Sequence, residues 1–248
     1  MLQKLLKSTA LGLLCALALW AEDTAVSAND LIKAAEKVMY PNAKVEATLV
    51  FNDGKGRVDS FGMTFYTRDL NQRIIVRFTS PATSIGNDLL MIEQNVWAYD
   101  KRSNRVLKIP SNQSFGGSGF SYGDVVRLNW SDNYNATITG QSVDQWQLEL
   151  IAKDRNAPYY RIALTIDKVG GWPIKGTCYA RSGAIVKELV YAGLKNAGTG
   201  RKPVTLTVTS PDNPGETTVM TLLRETPKNL PEQIFNRRNL ETRLEENL

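Results

Sequence analysis

Apolar and polar residues alternate with a period of two along most of this chain. Val45, Ala47 and Leu49, for example, are separated by Glu46 and Thr48. A period of two places successive side chains on opposite faces of a β-strand. The alternation predicts about eleven strands, near residues 45–49, 61–65, 74–78, 90–92, 97–99, 107–109, 146–150, 160–166, 185–191, 204–208 and 219–223.

Helical patterns are confined to short stretches. Leu31 and Ala35 recur at helical spacing before Pro41, which predicts a short N-terminal helix. Pro231 begins a similar stretch near the C-terminus. The glycine, serine and aromatic residues at 111–129 predict a loop that leads into a further short helix.

The fold class that follows is mainly β, with a smaller α component. A sheet of about eleven strands has to curl, split or close, because twist accumulates from strand to strand. Neither a proline-rich linker nor a change in composition divides the chain. We therefore expect one domain over residues 22–248, built as a single curled antiparallel sheet that forms a half-open β-barrel capped by short helices.

A curled sheet has one concave face, and that face needs apolar side chains. Such a wall is either a filled core or a cavity for an apolar ligand, and alternation alone does not separate the two. Arg73 and Arg77 fall on the opposite strand face from Ile74 and Val76, so we expect them to be exposed to solvent. The alternative is that, in an open sheet, they line a rim that meets anionic head groups or a membrane surface. The candidate wall residues are Phe61, Met63, Phe65, Ile74, Val76, Trp97 and Tyr99.

Two further apolar candidates lie in the loop rather than in a strand. Phe115 and Phe120 flank Gly116, Gly117 and Gly119. Glycine gives the backbone freedom to move, so the two aromatic side chains are candidates for a lid over the mouth of the barrel.

The N-terminus is typical of an exported protein. Lys4 and Lys7 precede an uncharged apolar run at residues 10–20, which is about half the length that spans a bilayer. We expect a signal peptide at residues 1–21, with cleavage as late as residue 28, and a periplasmic mature protein. Leu14 before Cys15 argues against lipidation of that cysteine, because lipoprotein processing favours a small residue there.

The net charge argues against one class of partner, and the cysteine content leaves a single cysteine to explain. The formal charge of +5 falls to about +3 when Lys4 and Lys7 are removed, which is too mild to indicate nucleic acid binding. Cys178 is then the remaining cysteine, and it shares strand parity with Trp172 and Ile174. We expect it to be a small buried apolar residue.

The residue types argue against catalysis. The chain has no histidine, so the commonest general base and metal ligand is missing. Ser118 lacks the spacing of a nucleophile elbow, and the glycines at 116–119 are followed by no Gly-Lys-Ser/Thr. Asp124, before the short helix, is better suited to a helix cap than to acid catalysis. We therefore expect no enzyme activity, no metal and no cofactor.

Short motifs in both halves of the chain resemble one family. Trp97 and Tyr99 are followed by the basic pair 101–102, by Lys-Ile-Pro at 108–110 and by Gly-Ser-Gly-Phe-Ser-Tyr-Gly-Asp-Val at 117–125. In the second half, Trp-Pro-Ile-Lys-Gly at 172–176 precedes Gly-Ala-Ile-Val-Lys at 183–187. This pattern resembles the LolA/LolB superfamily, and most closely its uncharacterised branch of LolA-like outer-membrane lipoprotein-sorting proteins. Gly119 and Gly123 stand where relatives usually carry acidic residues.

The resemblance implies a half-open β-barrel in the periplasm that shields acyl chains of a lipoprotein or lipid. It also implies an inner-membrane transporter as donor and an outer-membrane acceptor. An alternative function class stays open, namely a structural or accessory periplasmic module that docks on a membrane transporter and has a filled core without cargo.

Overall fold

The computed structural model describes residues 26–93, 95–110, 113–115, 120–122, 129–155, 157–198 and 200–247. Most of these residues belong to one antiparallel sheet of thirteen strands. The helices within these residues are α1 (Ala28–Met39), α2 (Trp130–Asn133) and α3 (Asn239–Thr242), with 3₁₀ turns at Glu232–Ile234 and Leu244–Asn247. The strands are β1 (Ala43–Asn52), β2 (Val58–Arg68), β3 (Arg73–Ser80), β4 (Leu89–Ile92), β5 (Asn95–Asp100), β6 (Arg105–Ile109), β7 (Tyr134–Gln141), β8 (Gln145–Ala152), β9 (Arg161–Asp167), β10 (Pro173–Tyr179), β11 (Ile185–Asn196), β12 (Arg201–Thr209) and β13 (Thr217–Pro227).

The sheet consists of two meanders that meet at its centre. Its order is β6-β5-β4-β3-β2-β1-β13-β12-β11-β10-β9-β8-β7, so the first and last strands of the chain pair with each other. The order does not return from β7 to β6, and the sheet is therefore open along these two edges. This confirms the expected curled, half-open sheet with short helices.

The number of strands is higher than the alternation predicted. The eleven predicted ranges omit β7 and β10. Edge strand β7 was not predicted, because most of its side chains are exposed or only partly buried and give no clear apolar period. Its N-terminal residue, Tyr134, is buried in the core, and the rest of the strand is held by its pairing with β8. Backbone pairing formed this strand where side-chain patterning was weak.

The concave face carries the main core. Alternate residues from nearly every strand point into it, and α1 contributes Ile32 and Ala35, both fully buried. The helix ends at Met39, directly before Tyr40 and Pro41, where the chain turns into β1. α1 and the segment that includes α2 therefore cover part of the concave face, as the apolar spacing predicted.

The opposite face of β2 to β5 is also buried, which the sequence did not indicate. Tyr66, Ile75 and Leu90 form a second core there, with apolar residues of the C-terminal segment. We define the C-terminal clamp as residues 228–247. The clamp packs on the outer face of the sheet, so it is not a cover for the concave face. Its residues in this core are Leu230, Ile234, Phe235 and Leu240.

Two predicted wall residues belong to this outer core. Trp97 and Tyr99 are partly buried against the second cluster, and their neighbours Val96 and Ala98 belong to the concave side. The prediction that Trp97 and Tyr99 share the concave wall was wrong. Apolar residues occur at both even and odd positions of β5, so their alternation did not reveal which set of positions faces the concave side.

The prediction of solvent exposure was also wrong for Arg77. Its side chain is 2% exposed, and it forms ion pairs with Asp88 at 2.9 Å and with Glu245 of the clamp at 2.6 Å. Its guanidinium also donates to the backbone oxygens of Asn239 and Leu240. Arg73 is partly exposed at the end of β3 and pairs with Glu232.

Cys178 is fully buried in the concave core, as its strand parity predicted. The expected signal peptide, Cys15, the glycines at 116–119, Gly123 and Asp124 lie outside the described residues.

Candidate functional site

A cavity of about 120 Å³ lies on the concave face beside the C-terminal end of α1. Its walls come from the central strands β1, β2, β12 and β13 and from β3 and β11. The cavity is mainly apolar. Its lining side chains include Met39, Val45, Ala47, Phe65, Ile74, Tyr191, Leu206, Met220 and Leu222.

The strand register explains why these residues meet. Ala47 pairs with Met63 of β2 on one side and with Leu222 of β13 on the other. A small side chain at the centre of the wall leaves space between its longer neighbours. A larger side chain at Ala47 would therefore reduce the volume of the cavity.

A buried ion pair lines part of the cavity. Lys202 and Glu225 both line the cavity, and their side chains are 1% and 0% exposed. The ammonium of Lys202 donates to Glu225 and to the backbone oxygens of Val38 and Met39, at 3.2 and 3.3 Å. Burial lowers the pKa of Lys202, and the charge and hydrogen bond of Glu225 oppose that shift. The pair fastens the last turn of α1 to β12 and β13.

The cavity also contains an acceptor. Asn71 is buried and lines the cavity, and no described residue donates to its Oδ1 atom. A buried acceptor that lacks a partner is unfavourable by about 1–3 kcal/mol. A water molecule or the polar group of a bound ligand would satisfy it.

The second feature of the concave face is an aromatic cluster next to the loop. Phe115 stacks on Phe78 with ring centroids 5.7 Å apart, and it meets Phe61 and Tyr122 edge to face at 5.4 and 5.3 Å. A backbone hydrogen bond from the N–H of Phe115 to the oxygen of Phe120 and an antiparallel bridge between residues 114 and 121 join residues 113–115 to residues 120–122. Both phenylalanines are buried in the concave core.

The structure thus brings together seven of the nine predicted site residues. Phe65 and Ile74 line the cavity, whereas Trp97 and Tyr99 lie on the other face. The remaining five pack in the concave core: Phe61, Met63, Val76, Phe115 and Phe120. The apolar residues of β11 to β13 were missed as site residues although their alternation was visible.

A buried carboxylate joins α1 to α2. Glu36 is 0% exposed, and its Oε1 atom accepts a hydrogen bond from the backbone N–H of Ser131 at 2.9 Å. Burial is the main cause that raises the pKa of Glu36, and hydrogen bonds from residues 130 and 131 offset part of that rise. This contact and the Lys202 contacts together hold α1 over the concave face.

The raised pKa makes stability depend on pH in a defined direction. Between the ordinary value of 4.5 and the raised folded value, the folded state binds more protons than the unfolded state. We expect the free energy of unfolding to decrease as pH rises through this window, and Glu36→Gln to remove that contribution. Urea unfolding at a series of pH values measures it. Glu188→Gln, at an exposed position, is the control and should retain the wild-type slope; an unchanged slope in Glu36→Gln would contradict the assignment.

Comparisons with known proteins identify the family and the fold. The model of an uncharacterised protein family matches residues 70–242, and the chain belongs to this family. No curated protein matches it. A LolA superfamily protein from Nitrosomonas europaea has a TM-score of 0.78 at 22% identity, over 87% of this chain and 100% of that chain.

Two other solved structures agree. A protein domain from Vibrio parahaemolyticus, named for outer membrane lipoprotein sorting, has a TM-score of 0.74 at 20% identity, over 86% of this chain and 99% of that chain. A protein from Desulfovibrio piger has a TM-score of 0.75 at 21% identity, over 86% and 97%. The fold is therefore that of the LolA superfamily, as the sequence motifs indicated. In the described part of the chain, no helix has the length and apolar character needed to cross a bilayer.

Proposed function

We propose that this protein is an exported carrier that shields acyl chains of a lipoprotein or lipid on the concave face of its sheet. The observation that carries the proposal is the apolar cavity beside α1, in a fold of the LolA superfamily. A mainly apolar concavity with a few polar groups is the usual form of a binding site for an apolar ligand. No catalytic step is part of the proposal.

The volume of the cavity limits how much of an acyl chain it can hold. Pockets for drug-sized ligands are about 300–1,000 Å³, whereas this cavity has about 120 Å³. It accepts a short apolar segment, and a full acyl chain requires further space. Movement of α1 would supply that space, since this helix lies over the concave face.

Location and partners complete the proposal. The apolar run at residues 10–20 would direct export and be removed with the signal peptide, so that the carrier acts in the periplasm. It would receive cargo from an inner-membrane transporter and deliver it towards an outer-membrane acceptor.

The test is to fill the cavity. Ala47→Phe places a large side chain at the centre of the wall, and we expect the affinity for a fluorescent fatty-acid probe to fall about tenfold or more, because the probe and the ring compete for one space. Ala192→Phe makes the same change at an exposed position of β11 and should leave affinity within about twofold. Fluorescence titration gives the affinities, and thermal melting shows whether each variant is folded.

The alternative is an accessory module with a filled core that docks on a membrane transporter. Dense packing of most of the concave face favours it, since Phe115, Phe120 and Trp130 already occupy one end. A wild-type protein that binds no probe and carries no lipid in native mass spectrometry would support this module and contradict the carrier.

A further inference from the structure

A second concavity, of about 500 Å³, lies away from the cavity beside α1. It opens between the connection from β8 to β9 and the turn from β10 to β11. We refer to it as the tyrosine cleft, because Tyr159, Tyr160 and Tyr179 line it. Arg155 and Arg181 also belong to its walls. None of these residues was a candidate in the sequence.

Each tyrosine of the cleft has a cation over its ring. The guanidinium of Arg161 lies 3.6 Å from the ring centroid of Tyr179, and that of Arg181 lies 4.5 Å from Tyr160. The ammonium of Lys187 lies 5.6 Å from the ring centroid of Tyr159. Cation–π contacts hold long side chains in place and leave N–H groups of the cation available to a second partner.

Positive charge predominates around the cleft. Four cationic side chains lie in or beside the cleft, compared with two carboxylates, those of residues 149 and 154. The cationic residues are Arg155, Arg161, Arg181 and Lys187. Glu149 pairs with Arg161 at 3.1 Å and is itself partly exposed. Two arginines of the walls, 155 and 181, are exposed to solvent and can reach an anion that enters the cleft.

The floor of the cleft is continuous with the concave core. Tyr159 is buried in that core, and Ala152, Ala157 and Val186 of the cleft pack against it. A ligand in the cleft therefore has cations and phenolic groups around its polar part and apolar side chains beneath it. This combination suits an amphiphile with a negatively charged head.

We propose that the tyrosine cleft binds the phosphate headgroup of an anionic lipid. Guanidinium groups match the geometry of phosphate oxygens and bind them through paired hydrogen bonds. Tyrosine favours the boundary between lipid tails and water, where its ring is apolar and its hydroxyl is solvated. The inference rests on the proposed function, since it adds a headgroup site to a carrier of acyl chains.

The experiment compares two pairs of substitutions with equal loss of charge. Arg155→Gln with Arg181→Gln changes the cleft, and Arg102→Gln with Arg105→Gln changes exposed positions around the turn between β5 and β6. The purified protein is titrated with phosphatidylglycerol vesicles and with phosphatidylcholine vesicles of equal size. We expect wild type to prefer phosphatidylglycerol, the cleft pair to bind it about tenfold more weakly, and the control pair to stay within about twofold of wild type.

Other outcomes overturn the assignment. Equal losses in both pairs would show attraction by overall charge alone, and no loss in the cleft pair would exclude the cleft. If soluble glycerol phosphate binds the cleft as tightly as the vesicles do, the site takes a free phosphate compound and not a lipid. The fatty-acid probe is titrated with the same variants, so that loss of vesicle preference with intact probe binding separates failure of this site from failure of the carrier function.

Discussion

Replacing Arg77 by alanine is expected to lower the free energy of unfolding by about 3–5 kcal/mol, since it removes the cation that pairs with the buried Glu245 and leaves Asp88 only its 3.4 Å ion pair with Arg243. Arg77 holds Asp88 on its own side of the sheet and Glu245 of the clamp, and both carboxylates are almost completely buried. Burial by itself would lower the pKa of Arg77, but the hydrogen bonds and charges of Glu245 and Asp88 outweigh it and raise that pKa. The arginine therefore stays charged and fastens the C-terminal clamp to the outer face.

Urea unfolding and thermal melting measure this effect. For a chain of this length, the loss corresponds to a decrease in Tm of about 6–20 °C. Arg73→Ala is the matched control on the same strand, because its ion pair with Glu232 is partly exposed and contributes about 0–1 kcal/mol. Limited proteolysis should cut the clamp faster in Arg77→Ala. Equal melting of the two variants would contradict the clamp assignment.

Replacing Phe115 by alanine is expected to lower the free energy of unfolding by about 3–5 kcal/mol, the usual range for truncation of a buried phenylalanine. The ring is 5% exposed and contacts three aromatic rings, each contact adding about 0.5–1.5 kcal/mol beyond burial. The sequence suggested a mobile lid residue. The structure places Phe115 in the closed core, where its loss affects stability directly.

The control for Phe115→Ala is Val169→Ala, which removes apolar atoms from a side chain that is 92% exposed. We expect it to change the free energy of unfolding by less than about 0.5 kcal/mol. The affinity for the fatty-acid probe is measured on the same proteins. If Phe115→Ala melts like wild type but binds the probe much more weakly, the side chain is a lid and contributes little to the closed core.

The alternation of apolar and polar residues correctly predicted which side chains share a strand face. Val45, Ala47 and Leu49 do share one face, and so do Met63, Phe65, Ile74 and Val76. Side chains must alternate along a strand, so a period of two reveals the strand and the residues that share a face. Cys178 was correctly predicted to be buried for the same reason. The motifs around residues 97–125 and 172–187 indicated the LolA-like fold, which the solved structures bear out.

The pairing of distant strands was not visible in the chain. β1 lies between β2 and β13, which brings Ala47 next to Leu222 and Val45 next to Glu225. The cavity depends on these pairings, and so does the buried ion pair of Glu225 with Lys202. A lysine and a glutamate more than twenty positions apart gave no local signal of contact.

The sequence alone thus determined the β class, the strand faces and the apolar content of the wall, because these follow from local alternation. Only the tertiary structure decided which parity faces inwards where both faces are apolar, as at Trp97 and Tyr99. It also decided that Arg77 is buried, because the clamp covers the outer face with residues more than 160 positions along the chain. Burial of such a residue depends on what packs against it, and contacts between remote segments leave no periodic signal in the chain.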